Sequence, residues 1–296
     1  VLQVTAYVRS LPMTVQPQLL LVDPAHFDVS YAINPWMNPG AWAHDPGGLH
    51  AAAARASADL RAALEEAHCR VLVREGAPGL PDMVFPANAA VVLDGRAMMA
   101  RFRHPQRQGE EAHFLAMFEA LRAEGVIKEV ALLPEGCYQE GAGDCIWDAS
   151  RGHFWGGYGP RSKREAIDAL AGFFGKEVVP LELVSDRCYH LDVGFCPLSG
   201  GEVLYFPPAL SAESLREFHA RVPPERRIEA GEEELKHFSV NAVCVGRRIL
   251  MSRTTPRLRE ELAQRGYKVV ELDLAPFILS GGGAFCMTLR LDLASS

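Results

Sequence analysis

Near its end the chain reads "LSGGGAFCMTLRLDL" (279–293): three glycines, Cys286, then an apolar alternation that reads as a strand. A thiol directly after flexible backbone has two readings. It is a small buried hydrophobe following a turn, or a nucleophile that glycine lets a substrate approach closely. A nucleophilic cysteine needs a base and something to orient it. The stretch "CYHLDVGFC" (188–196) supplies His190 with Asp192 two residues on. Read as a strand, it turns both side chains to one face; read as a solvated loop, it carries no chemistry.

Further polar residues sit at chemically suggestive places. "YQEGAGDCIW" (138–147) sets Glu140 and Asp144 around two glycines just before an apolar run. A carboxylate there can donate a proton or bind a cation, or simply cap a tight turn. "LPDMVFPANAAVV" (80–92) holds Asp82 and Asn88 six residues apart, in phase along a strand, and a buried amide there would need hydrogen-bond partners. Arg107 in "HPQRQGEE" (104–111) and Arg161 in "GYGPRSKRE" (157–165) each stand just before a helical segment. Their planar forks can clamp a carboxylate, although an arginine at a helix start is ordinarily solvated. Together these residues describe a thiol with a histidine, an electronegative group (Glu140, Asp82, Asp192) and two basic clamps. That set suits a zwitterionic substrate with a cationic head, such as an arginine derivative attacked by cysteine.

Competing chemistries lack their motifs. No GxGxxG joins a strand to a helix and no GxxxxGK[ST] occurs, so a nucleotide site is not expected. HExxH, EF-hand and GxSxG patterns are also missing. A net charge of −7 over 296 residues, with no block of five basic residues, argues against nucleic-acid binding. No apolar stretch reaches the roughly 18–20 residues of a membrane span. The opening "VLQVTAYVRSLPMTVQPQLLLVD" does not read as a signal peptide, and a first residue other than Met suggests a processed, trimmed or tag-derived start. Seven cysteines without a CxxC pair point to a reducing, cytoplasmic compartment, with the six besides Cys286 structural by default.

The elements that must position these residues form a repeat. Helical spacing occurs at 50–67, 109–125, 161–175, 211–222 and 255–266. Ser211 and Thr255 read as N-caps, while Gly125, Gly175 and Gly266 stand where helices end. Strand-like runs follow at 69–76, 127–136, 176–184 and 267–274; after the fourth helix, 226–240 is more polar and less regular. Further short strands lie between the units. Five such units suit a closed radial α/β arrangement better than a doubly wound sheet. No linker divides the chain, so residues 1–296 read as one domain.

The motifs "HFDVSYAINPWM" (26–37), "PDMVFPANAAVV", "RFRHPQRQGEE", "EGAGD", "YGPRS", "HLDVGFCPL" and "GGGAFCMTL" run in one order along almost the whole chain. In them the sequence resembles the guanidino-group-modifying enzymes, the amidinotransferase or pentein superfamily, and within it the dimethylarginine dimethylaminohydrolase and arginine dihydrolase branch. The resemblance implies a five-bladed α/β propeller with pseudo-fivefold repeats, its active site on the axis. It implies Cys286 as nucleophile, His190 as general acid and base, and Glu140 as the carboxylate binding and protonating the guanidinium. Asp192 would contact the guanidinium nitrogens, Arg107 and Arg161 would hold the substrate carboxylate, and Asn34 and Asp82 would hold the amino-acid end. Asp144 and Gly283 complete the expected substrate contacts, with the glycine run letting the Cys286 loop pass close to a planar guanidinium. Asn88 stands where the hydrolases and deiminases usually carry Asp, which resembles the dihydrolase branch.

The resemblance therefore implies hydrolysis of arginine to ornithine, ammonia and carbon dioxide through a covalent thiouronium, with no metal or organic cofactor. A dimethylarginine hydrolase giving citrulline and dimethylamine, an amidinotransferase, and a non-catalytic binding module are the alternatives. The expected partner is a small guanidino amino acid, with homo-oligomerisation left open and 26–40 as the candidate lid.

Overall fold

The computed structural model describes residues 16–296; the signal-peptide reading at the chain's start falls mostly on residues outside this range. In chain order the strands are β1 (Gln18–Val22), β2 (Arg70–Arg74), β3 (Ala90–Leu93), β4 (Arg96–Met99), β5 (Glu129–Leu132), β6 (Cys145–Asp148), β7 (His153–Tyr158), β8 (Val178–Glu182), β9 (Phe195–Pro197), β10 (Val203–Tyr205), β11 (Arg227–Glu229), β12 (Val243–Val245), β13 (Arg248–Met251), β14 (Lys268–Glu271) and β15 (Leu289–Arg290). Among the described residues they make five three-stranded sheets: β3-β4-β5, β6-β7-β8, β9-β10-β11, β12-β13-β14 and β15-β1-β2. Every sheet repeats one pattern, an antiparallel pair followed by a parallel pair. A parallel partner needs a crossover, and a helix supplies it in each unit. In the sheet that holds β1, the first place is filled by β15, so the first and last strands of the described residues share a sheet.

The helices form where the spacing predicts them: Pro46–Glu66, Glu110–Ala123, Ala166–Phe174, Ala212–Arg221 and Pro256–Gln264. The first buries Ala53, Ala56, Leu60 and Leu64, one apolar stripe at three- and four-residue steps. Ser211 and Thr255 do cap, accepting from the backbone N–H of Ser214 and Leu258. Gly125, Gly175 and Gly266 end their helices at φ of 76°, 62° and 82°, the left-handed region that glycine enters freely. The polar run after the fourth helix does hold a strand, β11, before a short helix, Glu232–Lys236. Among the described residues no helix is long and apolar enough to cross a membrane.

Three strand readings are corrected, all in the same direction. Residues 80–89 are not strand: 3-10 turns run over Pro81–Val84 and Pro86–Asn88, because proline offers no N–H to a ladder. His190 and Asp192 do not share a strand face either. His190 is the residue before a single helical turn, Leu191–Gly194, and the strand starts only at Phe195. Cys286 lies in a turn, with Leu289–Arg290 alone extended. The chemistry-bearing residues thus precede their strands. Asn88, Asp144, Asp192, Asn241 and Cys286 each stand one to three residues ahead of the first strand of a different sheet.

Candidate active site

Cys286 is buried, and its turn is shaped by crowding. Gly281 takes φ 88°. A Cβ on Gly282 would fall 2.2 Å from the Phe85 ring, and one on Gly283 would fall 2.9 Å from Asn241 Oδ1. The close approach that these glycines permit is to the protein's own side chains. The Cys286 thiol donates to Asp192 Oδ2 at 3.1 Å, and Asn241 Nδ2 donates to Sγ at 3.1 Å. Burial and then the neighbouring Asp192 carboxylate hold the thiol well above its ordinary range. Burial likewise pushes Asp192 up to about 7, against the hydrogen bonds it accepts. Its second oxygen, Oδ1, has no partner among the described residues.

His190 and Glu140 form a second unit. Glu140 stands at the start of a 3-10 turn, Gly141–Gly143, just ahead of β6. Its Oε2 is 2.7 Å from His190 Nε2 and accepts from Arg161 Nη1 at 3.0 Å, while Oε1 accepts from the Arg103 N–H at 3.1 Å. Burial raises this carboxyl, but Arg161 and His190 outweigh it and hold Glu140 well below the usual carboxylate range. The ring nitrogen Nδ1 of His190 is buried without a partner among the described residues. With Nε2 engaged, Nδ1 is the nitrogen available for proton transfer. Asp144 supports this unit from below, accepting from the Leu191 N–H at 2.9 Å and from Ser162 Oγ at 2.5 Å. Burial pushes it up to about 6.

Asn34, Asp82, Asn88, Arg107, Arg161 and Cys286 line one small cavity of about 10 Å³, together with Tyr189, Ser280 and Gly282. Asp144, Gly283, Asp192, His190 and Glu140 are not on its wall; Asp192 is joined to it through the Cys286 thiol, and Glu140 through Arg161 and the Asn88 amide. Asp82 accepts from Ser280 Oγ at 3.0 Å and Tyr31 Oη at 2.9 Å, with Arg107 Nε at 3.9 Å. Arg107 grips both Glu110 oxygens at 2.8 Å and donates to Asn88 Oδ1 at 2.8 Å. Burial lifts Glu110 to about 7 despite that pairing. Asn88 Nδ2 in turn donates to the Glu140 carbonyl at 3.2 Å. Arg161 also donates to the Ile33 carbonyl at 2.9 Å and lies over the Tyr189 ring at 4.7 Å. Both arginines expected as clamps on a substrate carboxylate are therefore held by protein groups. Ile33, Asn34, Arg161 and Tyr189 also line an open surface pocket of about 380 Å³, so they form the wall between solvent and the buried cavity. A larger, mainly apolar cavity of about 310 Å³ has none of Cys286, Asn88, Arg107 and Arg161 on its wall.

The sequence reading missed Asn241, Tyr31, Tyr189, Glu110, Ser162 and Ser280. For Asn241 a signal existed: "NAVCV" (241–245) repeats "NAAVV" (88–92), and both lead into the first strand of a sheet. The others join the site through contacts remote in sequence. Chemically, the assembly offers a sulfur nucleophile, a histidine oriented by an ionised carboxylate, and a second carboxylate with a free oxygen beside the sulfur.

Residues 42–293 match the family described as N,N dimethylarginine dimethylhydrolase, eukaryotic. The bifunctional arginine dihydrolase/ornithine cyclodeaminase ArgZ of Synechocystis sp. is 41% identical over 278 residues, which cover 93% of this chain and 37% of that protein. The chain thus spans little more than a third of the length of this relative. The N(G),N(G)-dimethylarginine dimethylaminohydrolase of Mycobacterium tuberculosis is 31% identical over 271 residues, 92% of this chain and 84% of that one. A crystal structure of the N-terminal domain of a substrate-bound ArgZ variant superposes with a TM-score of 0.87 at 38% identity, covering 95% of this chain and 100% of that one.

Proposed function

Since the chain belongs to the dimethylarginine dimethylaminohydrolase family, we propose that it is a cysteine-dependent hydrolase of guanidino C–N bonds, acting on arginine to give ornithine, ammonia and carbon dioxide. The observation that carries the choice of arginine is Asn88. An amide rather than a carboxylate shares the cavity with Cys286, its oxygen fixed by Arg107 and its nitrogen by the Glu140 carbonyl. The similarity to ArgZ supports the same choice.

A guanidinium beside Cys286 would donate to Asp192 through the unpartnered Oδ1 and favour the ionised pair. The thiol proton passes to His190, and the thiolate attacks the guanidinium carbon, forming a C–S bond. His190 returns the proton to the departing nitrogen, ammonia leaves, and a thiouronium remains. Water then adds as His190 takes its proton, the C–S bond breaks, and a ureido compound forms. A second round at the ureido carbon releases another ammonia and a carbamate that loses carbon dioxide. The sum is arginine and two waters in, ornithine, carbon dioxide and two ammonia out. An uncharged amide at Asn88 tolerates the neutral ureido group long enough for that second round.

The propeller reading of the fold is part of this proposal: the five identical sheet patterns, and residues from all five strand entrances meeting around Cys286 and His190, support closure about a pseudo-fivefold axis. Residues 1–296 are read as one catalytic domain. Ile33 and Asn34 of the 26–40 stretch stand between the surface pocket and the cavity, which supports its role as the lid. A cytoplasmic setting is supported by the free state of all seven thiols.

The test is product analysis by mass spectrometry with arginine and asymmetric dimethylarginine supplied separately. Ornithine with two equivalents of ammonia from arginine is the expected result. The second reading, favoured by the matching family, is dimethylarginine hydrolysis, and citrulline with dimethylamine would establish it in place of the first. Amidination of added glycine would reveal a transferase, and no turnover of any guanidino compound would leave a binding module.

A further inference from the structure

We propose that Asn241 is a catalytic residue, the side-chain donor that stabilises the Cys286 sulfur when it ionises while fixing the turn that carries it. The inference rests on the hydrolase reading for the reaction, and on geometry for the thiol. Asn241 is wholly buried, and every hydrogen-bonding position of its amide is used. Oδ1 accepts from the Gly283 N–H at 3.1 Å and the Cys286 N–H at 3.2 Å. Nδ2 donates to the Asp192 carbonyl at 3.2 Å and to Cys286 Sγ at 3.1 Å. This network fixes the amide's orientation without reference to the sulfur. Two backbone N–H groups demand the carbonyl end, and the Asp192 carbonyl demands the NH₂ end. The remaining N–H is thereby aimed at Sγ, where it favours the anion, since a hydrogen bond to a charged acceptor is stronger than one to a neutral acceptor.

The other groups facing the sulfur do not take this part. Asp192 accepts from the thiol and opposes ionisation. Tyr189 donates its hydroxyl to the Gly281 carbonyl at 2.7 Å. Across the cavity, Arg107 is bound to Glu110 and Asn88, Arg161 to Glu140 and Ile33, and Asp82 accepts from Ser280 and Tyr31. His190 is held by Glu140. Asn241 also ties the sulfur to the residue that accepts from it, since one nitrogen donates to both Sγ and the Asp192 carbonyl. Its place ahead of β12 matches that of Asn88 ahead of β3, so the repeat supplies two amides to one site.

The test measures the rate at which iodoacetamide alkylates Cys286 from pH 6 to 11, read by peptide mass mapping so that the other six thiols do not interfere; a midpoint above that window is read from the rate below it, which falls about tenfold for each unit of upward shift. Loss of one charge-assisted hydrogen bond in Asn241→Ala should raise the midpoint by about one to two pH units. Asn241→Asp, which sets a second carboxylate beside the sulfur, should raise it further, and Asn241→Ser, which keeps a donor, should recover part of the shift. Turnover should fall through kcat more than through KM. A midpoint unchanged in both Ala and Ser variants, with only the melting temperature lowered, would overturn the proposal and leave Asn241 as a structural brace. If Asn241→Ala does not fold, the Ser and Asp variants carry the comparison. A shifted midpoint in a protein that turns over no guanidino compound would support Asn241's role at sulfur and overturn the reaction assigned above.

Discussion

His190 Nε2 lies 2.7 Å from Glu140 Oε2, with both side chains excluded from solvent and Arg161 bound to the same oxygen. The carboxylate fixes the ring and leaves Nδ1 as the nitrogen that can exchange a proton. Glu140→Gln keeps the shape and removes the charge. It should lower kcat by about 10²–10⁴-fold, the usual range for positioned acid–base catalysis, with the circular dichroism spectrum retained. A loss smaller than tenfold in a folded variant would remove His190–Glu140 from the chemistry.

Asn88→Asp keeps the bond to Arg107 but replaces the donor facing the Glu140 carbonyl with an oxygen. The added charge should favour release after the first hydrolysis. From arginine, the ratio of ornithine to citrulline should fall by about tenfold, equivalent to ~1.4 kcal/mol between the two barriers. Quantitative amino-acid analysis reads this directly, and an unchanged ratio would deny Asn88 a part in product choice.

Asp192 gives a stability prediction with a definite sign. Burial raises its folded-state value to about 7 from an ordinary 3.8, so the fold favours the neutral form. That contribution is fully present below about pH 4 and is lost as pH rises through about 7. Asp144, raised to about 6, and Glu110, raised to about 7, act in the same direction. Glu140 is shifted the other way and contributes stability that is lost only in strong acid. Asp192→Asn should therefore flatten the decline between pH 5 and 7 by up to about 1.4 kcal/mol per pH unit. Urea melts at the two pH values test this, and equal slopes in both proteins would show that Asp192 is already ionised at pH 5.

Arg107 and Glu110 are a buried pair bound through two hydrogen bonds. Arg107→Ala strands a buried carboxylate and should cost about 3–5 kcal/mol. Adding Glu110→Gln should recover a substantial part, because the uncompensated charge goes with it. Thermal melts of the single and double variants decide the matter; no recovery would mean that Arg107 acts through packing on Phe102, over which it lies.

Gly282→Ala forces a methyl group into the Phe85 ring. Overpacking of this kind should destabilise by about 1–3 kcal/mol and displace the Cys286 turn, lowering kcat as well. Phe85→Leu on that background should restore part of both. Restoration of neither would place the clash elsewhere.

Much of this architecture was legible in one dimension. Helix periodicity, caps such as Ser211 and Thr255, and terminal glycines such as Gly175 are local effects of backbone geometry, and the structure follows them closely. The strand-entry residues were harder. Asn88 sits beside an apolar run and reads as part of it, yet Pro81 and Pro86 hold its stretch in 3-10 turns. Likewise the His190–Asp192 spacing suggested a common strand face, while the actual helical turn sends His190 to Glu140 and Asp192 to Cys286.

By itself, then, the sequence determined the five-unit repeat, the candidate thiol and histidine, and the acidic and basic residues available around them. These depend on residue type and on spacing within single elements. Only the tertiary structure decided which of them touch: that Arg161 meets Glu140, that Arg107 is held by Glu110 and Asn88, and that Asn241, 45 residues from Cys286, binds its sulfur. Such contacts arise where the entrances of separate sheets are brought together, and hydrogen-bond direction and burial at that meeting point are properties of the packed chain rather than of any segment in it.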